Sequence, residues 1–273
     1  MEIITAAFLG IVQGLTEYLP ISSSGHLILV PTLLNIDGLL NSLTFDVALH
    51  VGTAIAVIWF FWKDWIRLVK AFLKNVGSKN LVNQEDSKLL LLLLVGSIPA
   101  AIIGFVFNDF IERSVRQPLL VAGTLFVFAL ILFWADRVGS QKKNLSGVNW
   151  QQAIFIGLAQ AISLVPGVSR SGITISAGMF SGLNREAATR FSFLLSAPAI
   201  AGAAALSLKN FLEETHSNGN LSIFAVGTIA AAVSGWLTIK FLLGFVSKNN
   251  FNIFVWYRII LAVSVVLIYV TRT

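Results

Sequence analysis

The chain has no cysteine in its 273 residues. That absence excludes disulfides, thiolate metal sites and a cysteine nucleophile. Charge is also scarce. Charged residues make up 12% of the sequence, about half the ~25% of a soluble domain, too few to cover a water-facing surface. The strict alternation of a membrane barrel is missing, and so is a basic leader with a small-residue cleavage site: the N-terminus opens on the acidic Glu2 and does not read as a removable signal peptide. What fills the chain is apolar, 56% of it. Runs at 89–107, 119–134 and 251–270 approach the ~20 residues that cross ~30 Å of hydrocarbon. The chain therefore reads as a polytopic membrane protein in contact with a lipid bilayer. Its net charge of +6 sits mostly in loops between spans, where topology explains it better than nucleic acid does, and no nucleic-acid partner is expected.

Apolar segments are predicted at 2–17, 26–35, 43–62, 88–107, 118–135, 150–165, 173–183, 187–208, 221–243 and 253–270. All should be helical, because in lipid only helices or closed barrels satisfy the backbone. The first and second are separated by a polar break at 20–25, and 150–165 and 173–183 by a break at 166–172. Each flanking piece is too short to span comfortably, so each pair predicts a re-entrant hairpin. The halves also repeat. Gly10-Ile-Val-Gln13 precedes Ser22-Ser-Ser-Gly25 at the spacing by which Gly157-Leu-Ala-Gln160 precedes Ser169-Arg-Ser-Gly172. Val95-Gly-Ser-Ile and Val226-Gly-Thr-Ile match further on. The expected architecture is one all-α membrane domain over 1–273, made of repeats 1–136 and 149–273. Each repeat holds a hairpin and about three full spans. An odd number of crossings inverts the second repeat, so the hairpins enter from opposite faces, as in many transporters.

The basic residues test that topology. Lys63, Arg67, Lys70, Lys74, Lys79, Lys88, Arg137, Lys142, Lys143, Arg185, Arg190, Lys240 and Lys248 collect on one side. Arg113, Arg116, Lys209 and Arg272 fall on the other, among Asp109, Glu112, Glu213 and Glu214. The positive-inside rule makes the first side cytoplasmic and puts the mouth of the first hairpin outside. The small-residue stretches 197–205 and 227–235 suit close helix approach, either within one chain or in a homodimer.

Polar groups at membrane depth are expensive and point to function. Gln13 and Glu17 lie four apart on one helix face, where they can share a hard cation such as Mg²⁺ or Ca²⁺, or Glu17 can carry a proton. Ser22, Ser23, Ser24 and Gly25 precede a helix whose first N–H groups are free. They form an N-cap that is also a latent anion nest. Ser169, Ser171, Gly172 and Thr174 repeat the nest around Arg170. That guanidinium needs an anionic partner at depth, either Glu17 or a substrate phosphate. His26 follows the first nest directly and is either a hydrogen-bonded structural residue or a catalyst. Asp46 and His50 share a helix face, but no break adjoins them. Tyr257 and Arg258 near the start of the last span read as interfacial anchors. Carboxylate, hydroxyl, imidazole and arginine together suffice for hydrolysis of a phosphate ester or diphosphate, and the depth suggests a lipid substrate.

In Gln13-Gly-Leu-Thr-Glu17-Tyr-Leu-Pro-Ile-Ser-Ser-Ser-Gly-His26, in Pro166-Gly-Val-Ser-Arg-Ser-Gly-Ile-Thr174 and in Phe191-Ser-Phe-Leu-Leu-Ser-Ala-Pro198, the chain resembles the undecaprenyl-diphosphate phosphatase family, also called the bacitracin-resistance family. The likeness covers essentially the whole chain. It implies hydrolysis of undecaprenyl diphosphate to the monophosphate in a bacterial plasma (inner) membrane, recycling the carrier lipid of cell-wall synthesis. It also implies a divalent cation, Mg²⁺ or Ca²⁺, at Gln13 and Glu17. The family carries Glu or Gln at the first of these positions; with Gln13 here, metal binding or proton handling falls more heavily on Glu17. By position, Ser23 is the implied nucleophile with His26 as its acid/base partner, and Arg170 holds the diphosphate. A His26 nucleophile remains the alternative. The competing function is a transporter or flippase of polyprenyl phosphate lipids, which would need phosphate neutralisation but neither a nucleophile nor a proton donor.

Overall fold

A computed structural model describes residues 2–77, 81–82, 84–114, 117–139, 142–217 and 221–272, and within these the side chains outside 108–114, 203–217 and 272. The described residues are helical throughout, apart from short loops and one bridge between Lys143 and Leu183. The helices are α1 (Glu2–Tyr18), α2 (Ser23–Leu34), α3 (Leu43–Phe60), α4 (Trp62–Asn75), α5 (Glu85–Ser114), α6 (Pro118–Val138), α7 (Trp150–Ile162), α8 (Arg170–Phe180), α9 (Arg185–Ser217), α10 (Leu221–Val246) and α11 (Asn252–Arg272). Among the described residues, five helices are long and apolar enough to cross a membrane: α3, α5 as far as Phe107, α6, α10 and α11. The α5 helix kinks at Phe107, whose backbone leaves helical geometry. Large apolar side chains stay outward, such as Phe105, Trp134, Ile260 and Leu267. So much exposed apolar surface would be a liability in water and is the natural outer face in hydrocarbon.

The expected pairs of short helices are present as α1–α2 and α7–α8. The helices resume earlier than the sequence suggested, at Ser23 and Arg170, so Gly25 and Gly172 lie inside the first turn. The reason is capping: Ser22 Oγ accepts from Gly25 N and Ser169 Oγ from Gly172 N, satisfying donors that otherwise have no partner. Between the predicted spans 43–62 and 88–107 the structure adds a helix, α4, whose Lys63, Arg67, Lys70 and Lys74 share it with exposed Trp62, Ile66, Val69 and Leu73. A basic helix with an apolar face suits a membrane interface. The acidic and basic residues Asp109, Glu112, Arg113, Arg116, Lys209, Glu213, Glu214 and Arg272, like Lys79, lie outside the described side chains.

Packing exchanges elements between the two halves. Helix α1 lies against α10, and α7 against α5. Both crossings are glycine on glycine. A Cβ on Gly10 would strike the carbonyl oxygen of Gly227, and a Cβ on Gly157 the carbonyl oxygen of Gly96. These are the glycines that the sequence repeat pairs, Gly10 with Gly157 and Gly96 with Gly227. Close approach of this kind holds membrane helices together by dispersion. Gly227 also packs on Phe45 and Leu49, and Gly235 on Ala56 and Tyr18. Gly227, Ala231, Ser234 and Gly235 of the stretch 227–235 are thus packed within the chain.

Candidate active site

The two breaks meet. Gly25 stands against Gly167, with the Cβ position of the first 3.6 Å from the Cα of the second. Ser171 Oγ on the second hairpin donates to the carbonyl of Leu19 on the first, at 3.0 Å. Arg258 of α11 binds them together. It is fully buried; its Nη1 donates to Pro20 O (3.1 Å), its Nη2 to Gly167 O and Val168 O (both 3.0 Å), and its Nε to Leu125 O (3.2 Å). The interfacial-anchor reading of Arg258 is therefore wrong. Backbone carbonyls freed where a helix stops need donors, and one guanidinium with five N–H groups supplies them to both breaks.

Each break turns on a serine in an unusual conformation. Ser22 has φ 75° and Ser169 φ 71°, a region L-residues rarely occupy. Each places its Oγ both on the helix start and near the hydroxyl two residues on, at 3.3 Å for Ser22 to Ser24 and 3.2 Å for Ser169 to Ser171. The two nests are geometric twins. What they present differs. In the first, Ser23 donates to Glu17 Oε2 at 2.5 Å. In the second, the matching position is Arg170, whose Nη2 donates to Glu17 Oε1 at 2.5 Å. Glu17 is thus the point where the hairpins join chemically. Gln13 Nε2 adds a third donor, 3.1 Å from Oε2. Arg170 also reaches Ser192 O at 3.4 Å and lies over the Tyr18 ring, while Thr174 Oγ is 2.6 Å from Ser192 Oγ. Breaking a buried pair of this kind by removing one partner costs about 3–5 kcal/mol.

His26 is in the cluster but not on Ser23. Its Nδ1 lies 2.7 Å from Ser22 O and its Nε2 2.6 Å from the Tyr257 hydroxyl. A carbonyl only accepts, so Nδ1 carries the hydrogen and Nε2 accepts from Tyr257. Tyr257, half-exposed, is therefore no mere interfacial anchor. Its ring also stacks on the imidazole at 5.7 Å between centroids. Ser23 and Ser24 are half-buried, while Ser22, Gly25, Ser169, Ser171, Gly172 and Thr174 are buried.

In the sequence no break adjoins His50. The structure brings it to the site: Nε2 is 3.6 Å from Glu17 Oε2, and Nδ1 donates to Asp46 O at 2.8 Å. Spacing alone could not reveal this, since α3 reaches α1 only through the fold. As for a metal, the described residues contain no cluster of three His, Cys, Asp or Glu able to hold one. Gln13 Oε1, however, is buried and has no hydrogen-bond partner. Such an oxygen beside a carboxylate suits a hard cation that keeps part of its shell for phosphate oxygens.

The matches to known proteins extend along the whole chain. A family model described as "Bacitracin resistance protein BacA" matches residues 6–264. An undecaprenyl-diphosphatase of Thermodesulfovibrio yellowstonii is 46% identical over 271 residues, 99% of each chain. Another, of Moorella thermoacetica, is 47% identical over 273 residues, 100% of each. A third, of Desulforudis audaxviator, is 45% identical over 264 residues, 97% of each. The hairpins, the twin nests and the Glu17 junction thus lie inside a matched region that spans the molecule, and the chain belongs to the bacitracin resistance protein BacA family.

Proposed function

We propose that this protein is a multi-pass membrane phosphatase that hydrolyses undecaprenyl diphosphate to undecaprenyl phosphate and inorganic phosphate, as its relatives' names state of them. The observation that carries the reading at residue level is the Ser23 hydroxyl donating to Glu17 while Arg170 holds the other carboxylate oxygen. Ser23 is the nucleophile. Its Oγ attacks the terminal phosphorus, its proton passes to Glu17, and the bond to the bridging oxygen breaks so that the lipid monophosphate leaves with the electron pair. Water then attacks the phosphoserine and releases phosphate. Both nitrogens of His26 are engaged, which supports Ser23 over His26 as the attacking group. Paired with Tyr257, His26 supplies or withdraws a proton at the edge of the site.

Arg170 leaves Glu17 for the equatorial phosphate oxygens when the diphosphate enters, and the exchange of one anion for another keeps the guanidinium paired throughout. The nests of Ser22, Ser24 and Gly25 and of Ser169, Ser171, Gly172 and Thr174 orient the remaining oxygens through helix-start N–H groups and hydroxyls. A divalent cation, Mg²⁺ or Ca²⁺, would be held by Glu17 and by Gln13 Oε1, a buried oxygen without a hydrogen-bond partner. When bound, it neutralises charge on the diphosphate.

Repeats 1–136 and 149–273 are read as inverted, a reading supported by the exchanged glycine crossings. The basic α4 supports a cytoplasmic face at the end of α3 and so a site opening outward from the bacterial plasma membrane. Single cysteines placed near Asn35 and Asn144 and labelled from either side test that sidedness, since the chain has no cysteine of its own. The activity is tested by phosphate release from a prenyl diphosphate by purified protein in detergent. Lipid exchange without phosphate release would overturn the enzyme reading in favour of a polyprenyl phosphate transporter.

A further inference from the structure

Helix α4 begins where the membrane span α3 ends, with Phe61 between them. The helical repeat sorts its residues into three faces. Phe61, Trp65, Leu68 and Phe72 turn onto the core. Trp62, Ile66, Val69, Leu73 and Val76 form a second face, apolar and exposed. Lys63, Lys70 and Lys74 form a third, also exposed, a single strip about 16 Å long at 1.5 Å per residue. The other charges of the helix are settled within the protein. Asp64 takes Arg67 at 3.0 Å and Arg190 of α9 at 2.7 Å, and Arg67 also reaches Asp86 of α5 at 3.4 Å. Two carboxylates and two guanidiniums cancel. Among the described residues no carboxylate pairs with Lys63, Lys70 or Lys74; Lys63 only lies over the Trp62 ring, at 5.6 Å. The protein thus leaves the strip unanswered. Trp59 and Trp62 are exposed at the α3–α4 junction, and the Trp236 ring of α10 stands 5.8 Å from Phe60 with Lys240 over its face. Tryptophans gathered at one level mark the headgroup layer of a bilayer.

We propose that α4 is a docking surface for anionic diacyl phospholipids, with acyl chains against Trp62, Ile66, Val69 and Leu73 and headgroup phosphates on Lys63, Lys70 and Lys74. The two exposed faces together choose this occupant. A soluble acidic partner answers the lysines and leaves the apolar face bare. A zwitterionic lipid answers the apolar face and brings its own cation against the lysines. A lipid of net negative charge answers both. Lysine suits the task, because its flexible apolar stem lies along the chains while the ammonium reaches up to phosphate. Each such lysine favours an anionic surface by about fivefold. This surface takes no part in the reaction at Ser23 and stands whether or not the phosphatase reading does.

Trp62 reports on the seat. The intact chain is reconstituted in phosphatidylcholine vesicles carrying a minor fraction of brominated lipid, either phosphatidylglycerol or phosphatidylcholine, and the Trp62 signal is the fluorescence difference from Trp62→Phe. Brominated phosphatidylglycerol should quench that signal at a fraction about fivefold or more below that needed with brominated phosphatidylcholine. The preference should vanish at 1 M salt, where the screening length is about 3 Å. Changing Lys63→Gln, Lys70→Gln and Lys74→Gln together should remove the preference and keep the quenching by phosphatidylcholine, since the apolar face is intact. The same three changes to Glu should turn the preference towards a cationic diacyl lipid. Both triple variants should melt within about 2 °C of wild type in neutral detergent, and the salt series on wild type needs no variant at all. Equal quenching by the two lipids in wild type, or a preference that survives high salt or the change to Gln, overturns the docking of anionic lipid. No quenching by either lipid puts α4 in water and overturns it as well.

Discussion

The two hairpins share one backbone and carry different chemistry. Ser22 and Ser169 adopt the same rare conformation, cap the same glycine three residues on, and touch the hydroxyl two residues on. One residue after each cap the likeness ends, with Ser23 on one side and Arg170 on the other. Five residues before each cap it has already ended, with Glu17 in one repeat and Leu164 in the other. One carboxylate answered by one guanidinium neutralises the junction and leaves a hydroxyl beside it. The difference teaches that the shared frame is two helix starts meeting, and that the chemical groups they present differ at two positions.

Removing the distinguishing residues should have the largest effects. Ser23→Ala takes away the hydroxyl that donates to Glu17, and phosphate release in detergent should fall by about 10⁴-fold or more, with the melting temperature nearly unchanged. Retained turnover would move the nucleophile elsewhere. Arg170→Ala should cost about 10³-fold in kcat/KM, the scale of an arginine acting on phosphoryl oxygens, with both kcat and KM affected. Arg170→Lys should recover little, since a point charge cannot fork.

The residue that joins the hairpins should show its effect first in stability. Arg258→Ala leaves carbonyls of both breaks without a donor, and unfolding in detergent should become easier by about 3 kcal/mol. A loss below about 1 kcal/mol would mean that water fills the gap and that the breaks hold each other unaided. Tyr257→Phe keeps the ring stacked on His26 and removes only the hydroxyl. Phosphate release should fall about tenfold, less than the 10²–10⁴ lost with a direct acid or base. An unchanged rate would make the pair structural.

The frame was more legible than the contacts. Short apolar pieces around a proline and serines gave the hairpins, because a helix that cannot span must turn. Gly10, Gly157, Gly96 and Gly227 gave the repeat, and the structure then pairs them across the halves. The meeting of Glu17 and Arg170 was open to reasoning because a buried arginine demands an anion. His50 was not, since nothing local marks a histidine in a regular helix whose neighbour comes from another part of the chain. Tyr257 and Arg258 misled for the converse reason. Their place near the start of a span fits an interfacial anchor, and only tertiary packing turns Arg258 inward onto carbonyls far away in sequence. Helix α4 was missed because its charge hid its apolar face.

The smallest effects should come from the feature the hairpins share, and they test whether the twins are equal in energy as well as in shape. At φ near +70° a Cβ is a burden of about 1–2 kcal/mol, which glycine avoids. The serine stays because its Oγ caps the helix, a contribution of about 1 kcal/mol against alanine and only a few tenths against glycine. Ser→Ala should therefore cost about 1 kcal/mol at each position, the burden retained and the cap lost. Ser→Gly should lie within about 0.5 kcal/mol of wild type or above it. The order of glycine over alanine should hold at both 22 and 169, read as unfolding midpoints of the four variants in one detergent. If alanine matches glycine at both, the positive φ carries no strain and the serines are there for their hydroxyls alone. If the order holds at 169 and fails at 22, the first nest has been reshaped around Ser23 and His26, and the divergence reaches the backbone itself.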